Sequence, residues 1–330
     1  MQNFRTPVPL RKAEEYIELH TPILALGSCF AEEIGNKLRS HKFKAEINPC
    51  GILFNPINIF STIKLALTGE RIGADSPLFV KDGSYWQHYL FHSKLGDIDK
   101  QVVVRRINQS LDSIQNHWHQ DATVIITFGS AYGYKELATN NIVGNCHKQP
   151  MELFQKYLIS VEDIVESFKN LISHTDSSPR LIFSVSPVRH IKDGMVENTR
   201  SKATLLLACH QIVESMQRSQ YFPALELMMD DLRDYRFYNK DMIHPSTTAI
   251  DYIWQHFINN EISPEGGVHI KRFKKLLDSL NHKPRHPGTP EHRKFLEDLL
   301  GKIDEFPNIE LSQEKNKIKS ELVLCGSRSR

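Results

Sequence analysis

The stretch that decides the fold is Ile23-Leu24-Ala25-Leu26-Gly27-Ser28, a short apolar run that ends at a glycine and a serine. A run of this length with a break behind it predicts a buried β-strand. In residues 30–43, apolar side chains then recur at helical spacing with charged residues between them. A strand followed directly by an amphipathic helix is typical of the start of an α/β domain.

The same alternation continues along the chain, interrupted by hairpin signals at Asp82-Gly83 and Asn140-Asn141. Strands that alternate with helices predict an α/β domain on a parallel sheet of about five strands. We predict further strands at 44–48, 122–128, 181–185 and 222–229, and helices at 56–68, 102–118, 161–174, 201–216 and 245–257.

The alternation of predicted strands and helices ends near residue 263, so we predict a main domain at 1–262 and an extension at 263–330. Within the extension, residues 282–290 read as a linker, 291–303 as a helix and 312–330 as a polar tail. This extension is the candidate surface for association into a homo-oligomer.

Composition excludes several classes of protein. Hydrophobic residues make up 40% and charged residues 24%, as in ordinary soluble domains. The extension from residue 262 carries 14 basic and 10 acidic side chains, which leaves 27 basic and 29 acidic in the main body. A body without a basic surplus argues against nucleic-acid binding. No apolar run is long enough for a membrane span, no secretory signal is recognisable, and the odd set of five cysteines argues against a disulfide scaffold, so we expect a cytoplasmic protein.

Active sites in parallel sheets lie beyond the carboxyl ends of the strands, which draws attention to Ser28. A nucleophile at a strand-to-helix turn projects beyond the sheet, and the free N–H groups of the helix start can bind an oxyanion. The alternative is that Ser28 only caps the helix.

A second signal is Asp241-Met242-Ile243-His244-Pro245, late in the chain. A histidine that acts as general base needs a carboxylate to orient its other ring nitrogen, and a separation of three residues in a turn allows this. The alternative is an aspartate that caps a helix beside a surface histidine. An early serine after a strand together with a late D-x-x-H makes the catalytic interpretation more specific.

These motifs resemble the SGNH (GDSL-like) hydrolase superfamily, and the string Gly27-Ser28-Cys29-Phe30-Ala31 resembles the GSCFA-domain family of bacterial proteins within it. The resemblance covers roughly residues 19–257. Other matching stretches are NPCGILFNP at 48–56, NCHK at 145–148, SPVRH at 186–190 and DYRFY at 234–238, which runs into the D-x-x-H motif.

The resemblance implies a flavodoxin-like, three-layer α/β/α domain that acts as a serine-dependent acyl-ester hydrolase or acyltransferase. Ser28 would be the nucleophile, His244 the base and Asp241 its orienting carboxylate, without a metal or cofactor. The substrate would be an acyl ester of a small molecule or carbohydrate.

The oxyanion donors implied by the superfamily are the Ser28 N–H, an N–H near Gly51 and an asparagine after the middle strand. Here Gly129-Ser130 occupies the place of that asparagine. The Ser130 hydroxyl, or Asn145 from the second hairpin, is then the candidate third donor.

Two rival hypotheses remain. The missing asparagine fits a non-catalytic module that binds an acylated or carbohydrate ligand in the same cleft, and Cys29 beside Ser28 fits a cysteine-dependent hydrolase. Arg189 and His190 follow a strand end, where they either anchor substrate or form a buried ion pair. Cys146-His147 has no second ligand pair at the spacing that zinc sites use, so we predict no metal.

Overall fold

The structure, a computed structural model, describes residues 6–175, 177–282 and 284–327. It divides into two compact units. The first contains the chain up to residue 39 and residues 43–261, and the second contains residues 40–42 and the chain from residue 262 onward. No helix in these described ranges is long and apolar enough to cross a membrane.

The first unit alternates strands and helices, as the sequence predicts. Its strands are β1 (Ile23–Gly27), β2 (Ala45–Ile47), β3 (Phe79–Asp82), β4 (Tyr85–His88), β5 (Thr123–Phe128), β6 (Tyr132–Glu136), β7 (Ile142–Val143), β8 (Phe154–Leu158), β9 (Arg180–Val185) and β10 (Ser219–Tyr221). Its helices are α1 (Cys29–Ser40), α2 (Pro56–Leu67), α3 (Lys100–Asn116), α4 (Val161–Ile172), α5 (Met195–Ser215), the short α6 (Ala224–Glu226) and α7 (Thr247–Glu261).

Five strands form one parallel sheet in the order β10-β9-β5-β1-β2. The α/β prediction with a parallel sheet of five strands is therefore confirmed. The chain winds from β1 to β2 on one side and then crosses to β5 on the other, so the direction of winding reverses between β1 and β5. Such a reversal opens a crevice at the carboxyl edge of the sheet, which is where ligands bind in folds of this kind.

Alternation along the central strands assigns the two faces of the sheet. Leu24 and Leu26 of β1 belong to one large apolar cluster with the buried sides of α2, α3, α4 and α5. Intervening residues such as Ala25 point to the opposite face, and Ala25 is fully buried as well. Burial on both faces explains why these strands read as unbroken apolar runs.

Both predicted hairpins are confirmed. Strands β3 and β4 pair antiparallel around Asp82-Gly83, and β6 pairs with β7 and with β8 in a small sheet of three strands. The second unit consists of α8 (Pro264–Leu280), α9 (Pro290–Asp304) and α10 (Ser312–Ser327). Its core is made of side chains from all three helices and the α9–α10 connection: Phe273, Leu276, Leu296, Leu299, Ile303, Leu311, Ile318 and Cys325.

Three local predictions were wrong. The predicted strand at 222–229 is helical from Ala224, and β10 lies just before it, because a short apolar run does not distinguish a buried strand from a buried helix. The predicted polar tail at 312–330 is helical over α10, whose buried Ile318 and Cys325 belong to the core of the second unit. Helix α7 begins at Thr247, because Pro245 instead forms an isolated bridge with Tyr238.

Candidate active site

The turn between β1 and α1 brings Ser28 to the crevice. Gly27 has φ +123°, and a Cβ there would lie 2.1 Å from the carbonyl oxygen of Thr127, so only glycine fits this position. The Ser28 carbonyl accepts the Ala31 N–H, and its hydroxyl accepts the Phe30 N–H at 3.3 Å. Ser28 therefore caps α1, as the second interpretation of this serine predicts, and its side chain is buried.

Gly129 lies directly beside Ser28. A Cβ built on Gly129 would be 3.3 Å from the Ser28 Cβ and 2.9 Å from a ring carbon of Phe54. The Phe54 carbonyl accepts the N–H groups of both Gly129 and Ser130. Phe54 is also 46% exposed, so an aromatic wall next to Ser28 faces solvent.

Asp241 and His244 form the hydrogen-bonded pair that the D-x-x-H spacing predicts. The His244 Nδ1 donates to Asp241 Oδ2 at 2.7 Å, while Asp241 Oδ1 accepts the N–H groups of Ile243 and His244. These bonds, the one from the His244 ring first, lower the pKa of Asp241 to about 2. The carboxylate is thus held ionised, and the Nε2 of His244 is free of protein partners among the described residues.

Arg189 connects this pair to the end of β9. Its guanidinium lies over the rings of Tyr238 and Tyr235, at 3.9 and 4.9 Å from their centres, and donates to the Met242 carbonyl at 3.4 Å. Its main-chain N–H donates to the Ile243 carbonyl. Of the two interpretations open for Arg189, an ion pair is not formed within the described part of the chain; Arg189 instead anchors the turn that carries His244.

Ser28 and His244 are not hydrogen-bonded to each other in the described residues. Two large cavities of the first unit, about 1060 and 750 Å³, are lined by the segment 6–15, parts of 180–237 and Glu261, and none of Ser28, Asp241 and His244 lines either. Catalytic contacts often lengthen in the absence of substrate, so the lack of a hydrogen bond between Ser28 and His244 does not argue against their acting together.

The predicted main-chain oxyanion donors are engaged elsewhere. The Ser28 N–H donates to the Thr127 carbonyl at 3.0 Å, and the Gly51 N–H donates to the Asn48 carbonyl at 2.8 Å. The N–H of Cys29, the first of α1, has no main-chain acceptor within the described ranges. It is the N–H next to Ser28 that remains available.

The two candidate side-chain donors point to other partners. The Ser130 hydroxyl accepts the Tyr132 N–H at 3.1 Å and lies 3.5 Å from the Ser201 hydroxyl on α5. Asn145 accepts the His147 N–H at 2.9 Å within its own loop. No described hydrogen bond joins either residue to Ser28.

His190 and Cys29 take different environments. The His190 Nε2 lies 3.5 Å from Asp193 Oδ2. The main-chain N–H of His190 donates to Asn198, and burial lowers the pKa of the His190 ring. Burial also raises the pKa of the Cys29 thiol, although nearby N–H groups and Lys202 oppose this. A cysteine nucleophile needs the opposite shift, toward thiolate.

Two buried residues next to this turn are not among the site residues that the sequence predicts. Asn48, fully buried with a left-handed φ of 41°, accepts the Gly27 N–H on its Oδ1, while its Nδ2 has no partner among the described residues. Lys202 is buried on α5 and donates to the carbonyls of Gly129 and Ser186. Asn48 ends a predicted strand, which places it at the edge of the sheet. By contrast, nothing in the sequence around Lys202 indicates that this lysine is buried.

No cluster of three or more metal-binding side chains occurs in the described ranges. No curated protein and no solved structure matches the chain at a significant level. Two family models do match it: that of the GSCFA family over residues 22–257, and that of the GSCFA domain protein, C-terminal domain, over residues 273–323. The first match spans the parallel sheet, the Ser28 turn and the Asp241–His244 pair. The chain therefore belongs to the GSCFA family.

Proposed function

We propose that the first unit is a serine-dependent acyl-ester hydrolase or acyltransferase of the SGNH type. The observation that carries the proposal is the hydrogen-bonded Asp241–His244 pair, which Arg189 ties to the end of β9 at the sheet edge where Ser28 caps α1. An ionised carboxylate on Nδ1 leaves Nε2 as the proton acceptor, which is the arrangement a general base requires.

In this mechanism the Ser28 oxygen attacks the ester carbonyl and its proton passes to His244 Nε2. The tetrahedral intermediate expels the alcohol, which takes that proton, and the acyl group stays on Ser28. Water or a second hydroxyl then attacks the acyl-enzyme by the same steps. The mechanism requires the turn that carries His244 to approach Ser28 when substrate binds.

We assign two donors to the oxyanion. One is the Cys29 N–H at the start of α1, where the helix dipole also favours negative charge. The other is Asn48 Nδ2, a buried N–H group beside Gly27 for which the described part of the chain offers no acceptor. Buried donors are rarely left unsatisfied, so a bound oxyanion supplies the acceptor that this group lacks.

A second candidate is a non-catalytic binding module that uses the same cleft. It is favoured by the capping role and burial of Ser28 and by the occupied N–H groups of Ser28 and Gly51. The third candidate, Cys29 as nucleophile, is disfavoured by the raised pKa of its thiol.

The test is to react the full chain with a fluorophosphonate, locate the adduct by mass spectrometry, and measure hydrolysis of short p-nitrophenyl esters. An adduct on Ser28 with ester turnover supports the proposal. Turnover that is lost on alkylation of Cys29, without an adduct on Ser28, supports the cysteine hypothesis. If neither an adduct nor ester turnover is found, the result supports the binding module.

A further inference from the structure

Lys202 is a buried lysine that has no acidic partner in the part of the chain that the structure describes. Its side chain lies on the buried side of α5 with Ser201 and Leu205, and the residue is only 6% exposed. None of the described carboxylates forms an ion pair with it. Its Nζ donates instead to the carbonyls of Gly129 and Ser186, both at 2.8 Å.

These two carbonyls follow the ends of β5 and β9, which are neighbours in the sheet. Lys202 thus joins the two segments that continue the central strands beyond the carboxyl edge. Gly129 is also the residue whose Cα faces the Ser28 Cβ. Lys202 thus holds the Gly129 carbonyl while Phe54 accepts the Gly129 N–H, and together they fix one wall beside Ser28.

The positive charge of Lys202 also acts on the groups around it. It lowers the pKa of the Cys29 thiol, which burial and Glu33 raise, and it contributes to the lowered pKa of His190. Burial in turn lowers the pKa of Lys202 itself to about 7. An apolar side chain of similar length fills such a site at a lower cost in desolvation, so packing alone does not account for a lysine here.

We propose that Lys202 is a positioning residue of the Ser28 site, which holds Gly129 in place and directs a positive charge at the turn between β1 and α1. This proposal rests on the proposed function for its catalytic consequence. The negative charge of a tetrahedral intermediate would form at this turn, where the buried lysine stabilises it in its protonated form, below about pH 7.

The experiment compares full-length wild type with Lys202→Met, which keeps the length of the side chain and removes its charge and donors. Leu205→Ala is the matched control, because Leu205 is fully buried on the same side of α5 and has no side-chain donor for either carbonyl. Two rates are measured: fluorophosphonate labelling of Ser28, and iodoacetamide alkylation of Cys29 as a function of pH. Cys146, which is also half-buried, serves as the internal reference thiol.

We expect Lys202→Met to slow labelling of Ser28 by about 10-fold or more. Below about pH 7, where Lys202 carries its charge, it should also slow alkylation of Cys29 by up to about 10-fold, with Cys146 unchanged. Leu205→Ala should lose stability and keep both rates. If Lys202→Met folds and leaves both rates at wild-type values, or if Leu205→Ala reproduces both changes, the proposal is overturned.

The two arms separate this proposal from the proposed function. If wild type gives no Ser28 adduct, the hydrolase hypothesis fails, while the thiol titration still decides whether Lys202 acts on the turn. An unchanged Cys29 profile in Lys202→Met then overturns the role of Lys202 as well.

Discussion

The guanidinium of Arg189 lies 3.9 Å from the centre of the Tyr238 ring, and this contact joins the loop after β9 to the segment that presents Asp241 and His244. The two residues are far apart in sequence, and the turn they stabilise carries the exposed, hydrogen-bonded Asp241–His244 pair. This cation–π contact, together with the hydrogen bonds from Arg189 to the Met242 and Ile243 carbonyls, holds the turn that carries His244 at the sheet edge.

Arg189→Ala should lower turnover about 10-fold and leave KM nearly unchanged, because a cation–π contact of about 1 kcal/mol or more is removed from the turn that orients His244. Arg236→Ala is the matched control, since Arg236 lies over Phe237 at 4.8 Å in the same segment. Steady-state kinetics on a p-nitrophenyl ester provide the measurement. A raised KM with unchanged kcat would assign Arg189 to substrate binding instead.

Ser28→Ala should lower turnover by several orders of magnitude, because the hydroxyl that carries the acyl group is removed. Cys29→Ala should keep most of the activity, since the raised pKa of the thiol leaves little thiolate near neutral pH. Loss of the cap in Ser28→Ala costs about 1 kcal/mol of stability, so thermal unfolding is measured on the same samples. The reverse ranking of the two variants contradicts the serine assignment.

Asp241→Asn should reduce turnover by up to about 10⁴-fold, because the amide no longer holds the His244 tautomer that exposes a basic Nε2. In wild type, the pKa of Asp241 is lowered to about 2, so its contribution is present above the usual aspartate pKa and is lost only as the pH falls toward 2. Turnover at pH 5 to 8 should therefore show no titration of Asp241. Near-normal turnover in Asp241→Asn would mean that this residue only caps the turn.

Asn48→Asp should lower turnover by about 10²- to 10³-fold, because the variant keeps an oxygen for the Gly27 N–H and replaces the Nδ2 donor. Asn48→Gly is the comparison, since glycine accepts the left-handed φ of 41° and removes both groups. Turnover is measured beside the midpoint of thermal unfolding. Full activity in a folded Asn48→Asp would exclude Nδ2 from the oxyanion site.

The free energy of unfolding should rise with pH between about 7 and 10.5 relative to Lys202→Met. The folded protein releases the Lys202 proton near pH 7, whereas the unfolded chain keeps it up to the ordinary lysine value of 10.5, so the unfolded state binds more protons in this window. The difference should approach about 5 kcal/mol at most. Urea unfolding of both proteins at pH 6.5, 8 and 9.5 measures it, and parallel curves would contradict a buried, neutralised lysine.

The sequence by itself determined the features that depend on neighbouring residues. The apolar run of β1, the glycine that ends it and the helical spacing after it predict the strand, the turn and α1, and the D-x-x-H spacing predicts the Asp241–His244 hydrogen bond. These are local because three to four residues bring the groups together whatever the rest of the chain does.

Only the tertiary structure decided what surrounds these groups. Lys202 is buried and donates to the segments after both β5 and β9 because these strands end beside α5. Arg189 contacts Tyr238 because two loops leave the same edge of the sheet. The occupied N–H groups of Ser28 and Gly51 likewise depend on Thr127 and on the turn at Asn48. Burial and hydrogen-bond partners between segments distant in sequence are set by packing, which no local pattern of residues encodes.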